Sequence, residues 1–406
     1  AAIMLVGMMV VSASAASYNN LTDKDEIVNK DAVSMLVSLG IIEGKPDGSY
    51  GPTENVDRAQ MAKMLSVIMN KGVDNSALYQ SVNSGLTDIT SNWAKGHINY
   101  CYTTGIIAGR GNGTFDPSAT VTALEAAKML LVAVGYDPAI EGFEGADWAI
   151  NVSVRADEQG IFEGFTKDLS APLNRDDAAL LIYNALDVEM IQSYTTNNYP
   201  IAYSDHRTIL ADKYGVIKVQ GVVVANEWAS LASDDGDAAL KEGKTTIYNG
   251  EGIFSTTGNT TVSKEDASLK TQTFNVSTPV DMLGKTVNLY IKKTTILADS
   301  TVYGDPVVSD VNTVVTTGET VLYSGAKDPQ VDYDKLLGEN GLTDKDAKYF
   351  WNYNSGKHNP NTTEKYGDKT ANEKGATLTI LDNHAQGEVA YLQSGEKDPA
   401  THTYTT

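Results

Sequence analysis

Apolar residues recur at helical spacing through the first half of the chain. Amphipathic stretches alternate there with glycine-rich segments, and a spacing of i, i+3, i+4 predicts one buried face per helix. The three clearest stripes are Ala62/Leu65/Ile68/Met69, Ala127/Leu130/Leu131/Val134 and Ala178/Leu181/Ile182/Ala185. Apolar stripes at this spacing indicate core-facing helices rather than ligand sites.

From about residue 192 the pattern changes to alternation and to β-branched runs, which predict strands. In the segment 286–292, Val287, Leu289 and Ile291 share one face, as in a half-buried antiparallel strand. The strand candidates are 216–225, 245–248, 271–276, 286–292, 307–316, 320–323, 377–381 and 388–392. Residues 332–353 are predicted as an interrupted helix, and 358–374 as a polar loop.

The glycine-rich segments of the first half repeat. Residues 40–52 and 105–117 match position for position, each with a tight-turn dipeptide followed by an aromatic residue and a proline, and 160–172 is a more degenerate copy. The first glycine of each segment is predicted to end a helix in the left-handed conformation. This recurrence indicates tandem copies of one supersecondary unit.

Each glycine segment is followed by a helix start with a capping side chain. The starts are Asp57-Arg58-Ala59-Gln60, Thr122-Ala123-Leu124-Glu125 and Asn174-Arg175-Asp176-Asp177, which fit capping boxes, strictly in the second copy. Arg58 and Arg175 occupy the first helical position, where helix dipole and guanidinium together suit a carboxylate or phosphate. Both are expected to be exposed; the alternative is that they cover apolar surface or pair with local acids.

These residues together resemble the S-layer homology domain family over about residues 21–191, a little under half of the chain. The resemblance rests on the glycine run with its aromatic residue and proline, on the Thr-Arg-Ala-Glu-like helix start, and on openings such as Asp88 with Trp93-Ala94 and Asp147-Trp148-Ala149. It implies an all-α trio of repeats forming a pseudo-threefold trimer. It also implies that the inter-repeat grooves bind secondary cell-wall polysaccharide, often pyruvylated and linked to peptidoglycan.

Carried over position by position, the resemblance implies a polysaccharide-binding set of Arg58, Arg175, Trp93, Trp148, Asp88, Thr122, Glu125 and Arg110. The second copy has Ala123 in place of the arginine, so Arg110 from the glycine segment is its candidate substitute. The two tryptophans either stack on sugar faces or pack as core residues. One or two competent grooves are expected rather than three.

The fold class predicted is multidomain α+β, with an all-α three-repeat region followed by a mainly antiparallel β-rich region. Residues 1–16 are typical of the end of a signal peptide, an apolar run followed by small residues, and predict a secreted protein of the bacterial cell surface. The predicted divisions are 1–16 (signal peptide), 18–72, 83–137 and 140–191 (repeats), 192–215 (linker) and 216–406 (β-rich surface region).

Net charge and cysteine content limit which ligands and metal sites are expected. The 406 residues carry 31 Lys and Arg against 52 Asp and Glu, a formal charge of −21, which disfavours nucleic acid and anionic membranes as partners. The single cysteine, Cys101, excludes an internal disulfide and a multi-cysteine metal site, and its apolar spacing predicts a buried thiol.

Catalytic and metal motifs are weak, so binding rather than turnover is predicted, with no cofactor. The five histidines lack paired ligand spacing, and the two S-x-x-K matches, 324–327 and 394–397, lack companion motifs. The acidic segments 234–237 and 344–346 give only a weak Ca²⁺ signal. Two alternatives stay open: a wall-anchored enzyme acting on glycan or peptide through its C-terminal half, and a self-assembling lattice subunit.

Overall fold

The computed structural model divides the chain into two compact units, Ala1–Tyr214 and Gly215–Thr406. The residues that the structure describes are 18–227, 240–249, 271–279, 282, 285–292, 301–310, 314–321, 347–353, 376–382, 397–398 and 403–404. The predicted signal peptide, the polar loop 358–374, the strand 388–392 and both acidic segments lie outside these residues, as does all of the S-x-x-K matches except Lys397.

Six α-helices form the described part of the first unit. They are α1 (Lys30–Ser38), α2 (Arg58–Met69), α3 (Lys95–Thr103), α4 (Ala123–Val134), α5 (Trp148–Glu158) and α6 (Arg175–Leu186). Short 3₁₀ turns cover Tyr18–Asn20, Lys24–Glu26 and Ser76–Tyr79. No helix in the described ranges is both long and apolar enough to cross a membrane.

The predicted helix starts of α2, α4 and α6 are confirmed. Asp57 and Thr122 each accept the N3 backbone N–H while the N3 side chain returns to the cap, which completes a capping box. Asn174 caps α6 by accepting from Asp177 N at 2.8 Å. Because each cap satisfies backbone donors that would otherwise be orphaned, these residues set where the helices begin.

Three of the helix contacts follow the repeat, α2 with α3, α4 with α5, and α6 with α1, and α4 also packs on α6. In each of the first three contacts, a helix that follows one glycine segment packs on the helix that precedes another glycine segment. The predicted apolar stripes form the core: Leu65, Leu131 and Leu181 are fully buried, and so is Cys101, as predicted.

A closed ring of backbone hydrogen bonds lies at the centre of this arrangement. Val56 N donates to Leu173 O at 2.9 Å, Leu173 N to Val121 O at 2.7 Å, and Val121 N to Val56 O at 2.9 Å. All three residues directly precede a helix cap and are buried. The ring therefore holds the N-termini of α2, α4 and α6 close together.

The first unit also contains a small β-hairpin beyond the predicted repeats. Strands β1 (Ile191–Tyr194) and β2 (Pro200–Ala202) pair antiparallel within the segment expected as a linker, and a π-helical turn covers Leu210–Tyr214. The Tyr194 hydroxyl accepts from Asp137 N at 2.9 Å and donates to Glu141 at 3.0 Å. The hairpin thereby contacts the segment that follows α4.

The second unit contains antiparallel sheets, as predicted. One sheet has the order β5-β4-β3-β6-β7, built from β3 (Val216–Ala225), β4 (Thr245–Tyr248), β5 (Thr271–Phe274), β6 (Thr286–Lys292) and β7 (Val302–Asp310). A second has the order β8-β10-β9, built from β8 (Val314–Val321), β9 (Ala347–Tyr353) and β10 (Ala376–Asp382). Strands β11 (Lys397–Asp398) and β12 (Thr403–Tyr404) form a separate pair.

Two predictions for this unit are corrected. The stretch 347–353, predicted as the end of a helix, is strand β9, because its aromatic residues favour a pleated surface and β10 supplies a pairing partner. The predicted single strand 307–316 is divided between β7 and β8. In β6, Val287, Leu289 and Ile291 are buried as expected, and Tyr290 on the other face is buried too.

Candidate ligand-binding grooves

Two grooves lie beside the two well-matched glycine segments of the first unit. Groove 1 lies against residues 40–45, has a volume of about 310 Å³, and is also lined by Gln60, Lys63, Trp93 and Arg175. Since α2, the segment before α3, and α6 each contribute to it, groove 1 exists only in the folded unit.

Arg175 is half-buried at the first position of α6 and reaches the glycine segment 40–51. Its Nε donates to Tyr50 O at 2.8 Å, its Nη2 lies 3.4 Å from Glu43 O, and its guanidinium carbon lies 4.8 Å from the centre of the Tyr50 ring. Among the described residues no carboxylate lies within 4.0 Å of this guanidinium. Arg175 therefore ties the start of α6 to the segment and still presents positive charge to groove 1.

The charged side chains lining groove 1 are three cations, Lys45, Lys63 and Arg175, and two carboxylates, Glu43 and Asp74. Lys63 Nζ lies 3.9 Å from Glu43, a long and exposed pair, whereas Lys45 is ion-paired with Glu54. Exposed pairs of this kind are weak and exchange readily with other partners. In a chain of formal charge −21, groove 1 is a local exception to the acidic surface.

Trp93 supplies an exposed aromatic face at groove 1. It is 57% exposed, and its ring lies edge-on to His97 with centroids 6.3 Å apart. This exposure excludes the alternative that Trp93 is a core residue. An exposed indole with a polar rim is suited to stacking on a flat, partly apolar ligand face.

A buried histidine lies behind groove 1. His97 Nδ1 lies 2.6 Å from Ser66 Oγ of α2, and its Nε2 lies 3.6 Å from Asp74. Burial lowers the pKa of His97, an effect that the Asp74 carboxylate opposes and Lys63 reinforces. Ser66 is itself buried and donates to Lys63 O at 3.0 Å, so its hydroxyl is not presented to groove 1 as a nucleophile.

Groove 2 lies against residues 105–114 and has a volume of about 470 Å³. Its charged lining residues are one cation, Lys128, and one carboxylate, Glu144. Lys128 donates to Phe143 O at 2.6 Å and lies 5.7 Å from the centre of the Trp148 ring; burial lowers its pKa. With one lining cation against three, groove 2 offers less positive charge than groove 1.

Arg58 differs from the expectation of an exposed arginine: it is only 4% exposed and does not line groove 2. Its Nε donates to Phe115 O at 2.8 Å, its Nη2 to Ala108 O at 2.9 Å, and its guanidinium carbon lies 4.4 Å from the centre of the Phe115 ring. Burial, with a smaller contribution from Arg110, lowers the pKa of Arg58 to about 10. This prediction was wrong because the glycine segment 105–116 covers the guanidinium.

The other predicted site residues of the second copy are engaged within the protein. Glu125 returns to Thr122 N at 3.1 Å in the capping box, and its Oε1 lies 3.0 Å from Arg110 Nη1 and 3.8 Å from Arg58 Nη1. Asp88 accepts from the backbone N–H groups of Phe115 at 2.9 Å and of the next residue at 2.7 Å. These contacts are all made between groups of the protein itself.

The third glycine segment lacks the corresponding side chains. Counting along the chain, the places of the groove arginine, lysine and tryptophan are taken by Ala123, Leu180 and Val28. Instead, Asn184 donates to the carbonyl groups of Ile161 at 3.0 Å and Glu163 at 2.9 Å. This segment therefore offers neither a cation nor an aromatic face at those places.

Sequence reasoning missed Lys63, Lys128, His97 and Asp74. The two lysines were detectable, since each follows its capping residue by six positions in two matching helices. Nothing in the sequence placed His97 against Ser66, because that contact depends on how α3 packs on α2. Among the residues that the structure describes, no cluster of three His, Cys, Asp or Glu is arranged to hold a metal ion.

Comparison with known proteins gives matches to the segments that contain the first two repeats. The S-layer homology domain model matches residues 20–62 and 85–127. The chain is 27% identical over 253 residues to a cell surface protein of Thermoanaerobacter kivui, covering 61% of the chain and 30% of that protein. It is 33% identical over 113 residues to an S-layer protein of Bacillus licheniformis, covering 28% and 12% respectively.

Relatives with enzyme names are also present. An uncharacterized cell wall amidase of Bacillus anthracis is 25% identical over 144 residues, covering 34% of this chain and 26% of the amidase. The chain spans less than a third of the length of each of these three relatives. The first half therefore contains two segments that match the S-layer homology domain, and the similarities support a secreted protein of the cell surface.

Proposed function

We propose that this protein is held non-covalently on the cell wall by an anionic secondary polysaccharide that binds in groove 1, with its β-rich half displayed as a surface domain. The observation that supports this most is the convergence of Arg175, Lys63 and Trp93 from three separate segments on one groove of about 310 Å³. Together they supply a guanidinium fork, an ammonium group and an exposed indole, which are the groups that a carboxylate-bearing sugar requires.

We further infer that α5 and α6 belong to a third, degenerate copy of the same domain. Leu173 completes the central backbone ring with Val56 and Val121, and α6 packs on α1 as α2 packs on α3. Without α6, groove 1 would have no arginine. On this proposal the third copy contributes to the grooves of its neighbours rather than forming a competent groove of its own.

The chain acts on this proposal as a binding protein and not as an enzyme. In the described residues the one serine–histidine contact, between Ser66 and His97, is buried in the helical core. The amidase-type relative motivates the alternative of a wall enzyme, and the S-layer relatives motivate a lattice subunit. Turnover of wall glycan or peptide would support the first, and salt- or Ca²⁺-dependent assembly of residues 192–406 into two-dimensional layers would support the second.

The proposal is tested by co-sedimentation of the full chain with purified sacculi, before and after their secondary polysaccharide is stripped. We expect binding that disappears on stripping and that falls at least about tenfold in Arg175→Gln, since a charge-assisted contact is lost. Arg207→Gln is the matched control, because Arg207 also lies over a tyrosine ring but is outside groove 1. Equal binding to stripped and intact sacculi would contradict the proposal.

A further inference from the structure

We propose that the third residue after the helix cap, Gln60 at groove 1 and Glu125 in the second copy, determines which of the two arginines can bind an anion. This rests on the proposed function of groove 1 and adds the residue that assigns the function to it. Glutamine leaves Arg175 available, whereas glutamate holds Arg58 within the protein.

The hydrogen bonds of the two arginines to their glycine segments are alike, although the segment over Arg58 also buries its guanidinium. Arg58 and Arg175 occupy the same helical position, and each donates through Nε to the carbonyl of an aromatic residue at 2.8 Å. Each guanidinium also lies over the ring of that residue, Phe115 in one case and Tyr50 in the other. The same set of contacts is therefore built twice, and the two copies differ in burial and in the charge around the guanidinium.

Nearby carboxylates balance the positive charge of Arg58. Glu125 Oε1 lies 3.8 Å from Arg58 Nη1 and 3.0 Å from Arg110 Nη1, so one carboxylate serves two cations. Arg110 Nη2 lies 3.7 Å from Asp116, which adds a second carboxylate. An anionic ligand would have to displace carboxylates that are already in place, so it gains little from Arg58.

Around Arg175 the corresponding carboxylate is absent. Gln60 takes the place of Glu125, and Lys45 takes the place of Arg110 in the glycine segment. Lys45 pairs with Glu54 across the same segment, and Gln60, Lys45 and Arg175 all line groove 1. A ligand carboxylate at groove 1 can therefore take the role that Glu125 has in the second copy.

The two residues can be exchanged without losing the helix cap, because the chain already uses both. Gln60 Oε1 accepts from Asp57 N at 3.0 Å, and Glu125 Oε2 accepts from Thr122 N at 3.1 Å. Each completes a capping box. Gln60→Glu and Glu125→Gln therefore change charge at a position where either side chain is compatible with folding.

The test compares the full chain, Gln60→Glu, Glu125→Gln and the double exchange for binding to sacculi that retain their secondary polysaccharide. We expect binding about tenfold weaker in Gln60→Glu, because the new carboxylate competes for Arg175. Arg175→Gln in the otherwise unchanged chain shows separately whether groove 1 is the binding site. If Arg175→Gln abolishes binding and Gln60→Glu does not weaken it, the residue at position 60 does not decide whether Arg175 binds an anion. The proposed function of groove 1 would still stand.

A second readout needs no wall ligand. Phenylglyoxal, which modifies arginine, is applied to each protein, and modified residues are located by mass spectrometry. We expect Arg175 to react in the unchanged chain and several-fold more slowly in Gln60→Glu, because a carboxylate then holds its free nitrogen. Equal reaction of Arg175 in both proteins would overturn the inference, whatever the outcome with sacculi.

Discussion

Grooves 1 and 2 arise from the same sequence pattern and differ in what they offer to a ligand. In both, an arginine at the first helical position crosses to a neighbouring glycine segment and lies over an aromatic ring. Arg175 remains half-buried at the edge of groove 1, whereas Arg58 is 4% exposed and lies close to Glu125. Both copies thus have the arginine, but only Arg175 is accessible from a groove.

This difference shows that both arginines have a structural role, whether or not they also bind a ligand as proposed for Arg175. Each arginine joins two segments that are far apart in sequence, Arg58 to Ala108 and Arg175 to Tyr50. Where a carboxylate accompanies it, the arginine is an internal clamp. Where the carboxylate is replaced by an amide, the same clamp can also face a ligand.

The largest expected effect is a difference in the stability that is lost when each of the two arginines is replaced. Arg58→Ala should lower the free energy of unfolding by about 3 kcal/mol, because it leaves two backbone carbonyls without their buried donor and removes the cation–π contact with Phe115. Arg175→Ala should cost only about 1 kcal/mol, since solvent reaches the groups it leaves. Urea unfolding of the full chain, monitored in the helical unit, measures both.

The control for this prediction is Arg110→Ala, which removes a more exposed ion pair with Glu125 and should change stability by less than about 1 kcal/mol. Equal destabilisation by Arg58→Ala and Arg175→Ala would contradict the distinction between a clamp and a groove residue.

The next effect concerns the two tryptophans. Trp93→Ala should weaken binding to sacculi about tenfold with little loss of stability, because the indole is 57% exposed at groove 1. Trp148→Ala should leave binding nearly unchanged, since its ring lies by the engaged Lys128. Co-sedimentation isotherms of the two variants provide the comparison.

Leu78→Ala is the matched control for the loss of an exposed apolar side chain, being 74% exposed and outside both grooves. A loss of binding in Trp148→Ala as large as that in Trp93→Ala would contradict the assignment of binding to groove 1.

The smallest effect is a pH dependence of stability that arises from His97, which lies behind groove 1. His97 lies behind groove 1, and the corresponding residue behind groove 2 is Val152. Because burial lowers the pKa of His97 below its ordinary value of 6.5, the folded state binds fewer protons than the unfolded state. Its contribution to stability is therefore complete above pH 6.5 and is lost as the pH falls through the lowered pKa.

Thermal unfolding between about pH 5 and pH 7 tests this, since few other groups titrate in that range. We expect the melting temperature of the unchanged chain to fall with pH more steeply than that of His97→Gln, which keeps a polar side chain near Ser66 and Asp74. Identical pH profiles for the two proteins would show that another group is responsible.

Much of the first unit was predictable because its signals are local. Capping residues, glycine turns and apolar stripes act within one or two turns of helix, so the starts of α2, α4 and α6 and the burial of Cys101 could be predicted. The β-rich half was predictable where alternation was regular, as in β6. It was not predictable at 347–353, where pairing with β10 determines the strand.

The charge state of the candidate site was beyond the sequence pattern. Arg58 and Arg175 both occupy the first position of a capped helix, and the expectation that both were exposed followed from that shared position. Which carboxylates lie near each guanidinium depends on contacts between residues more than fifty positions apart, such as Arg58 with Glu125.

By itself, the sequence determined that this chain contains tandem helical units with capped second helices, an acidic surface and a β-rich second half, because these follow from residue type and short-range spacing. The tertiary structure decided that three segments close into one ring, that Arg175, Lys63 and Trp93 meet at one groove, and that Arg58 does not. The physical reason is that burial and charge pairing depend on neighbours that are distant in sequence, and only the packed unit brings those neighbours together.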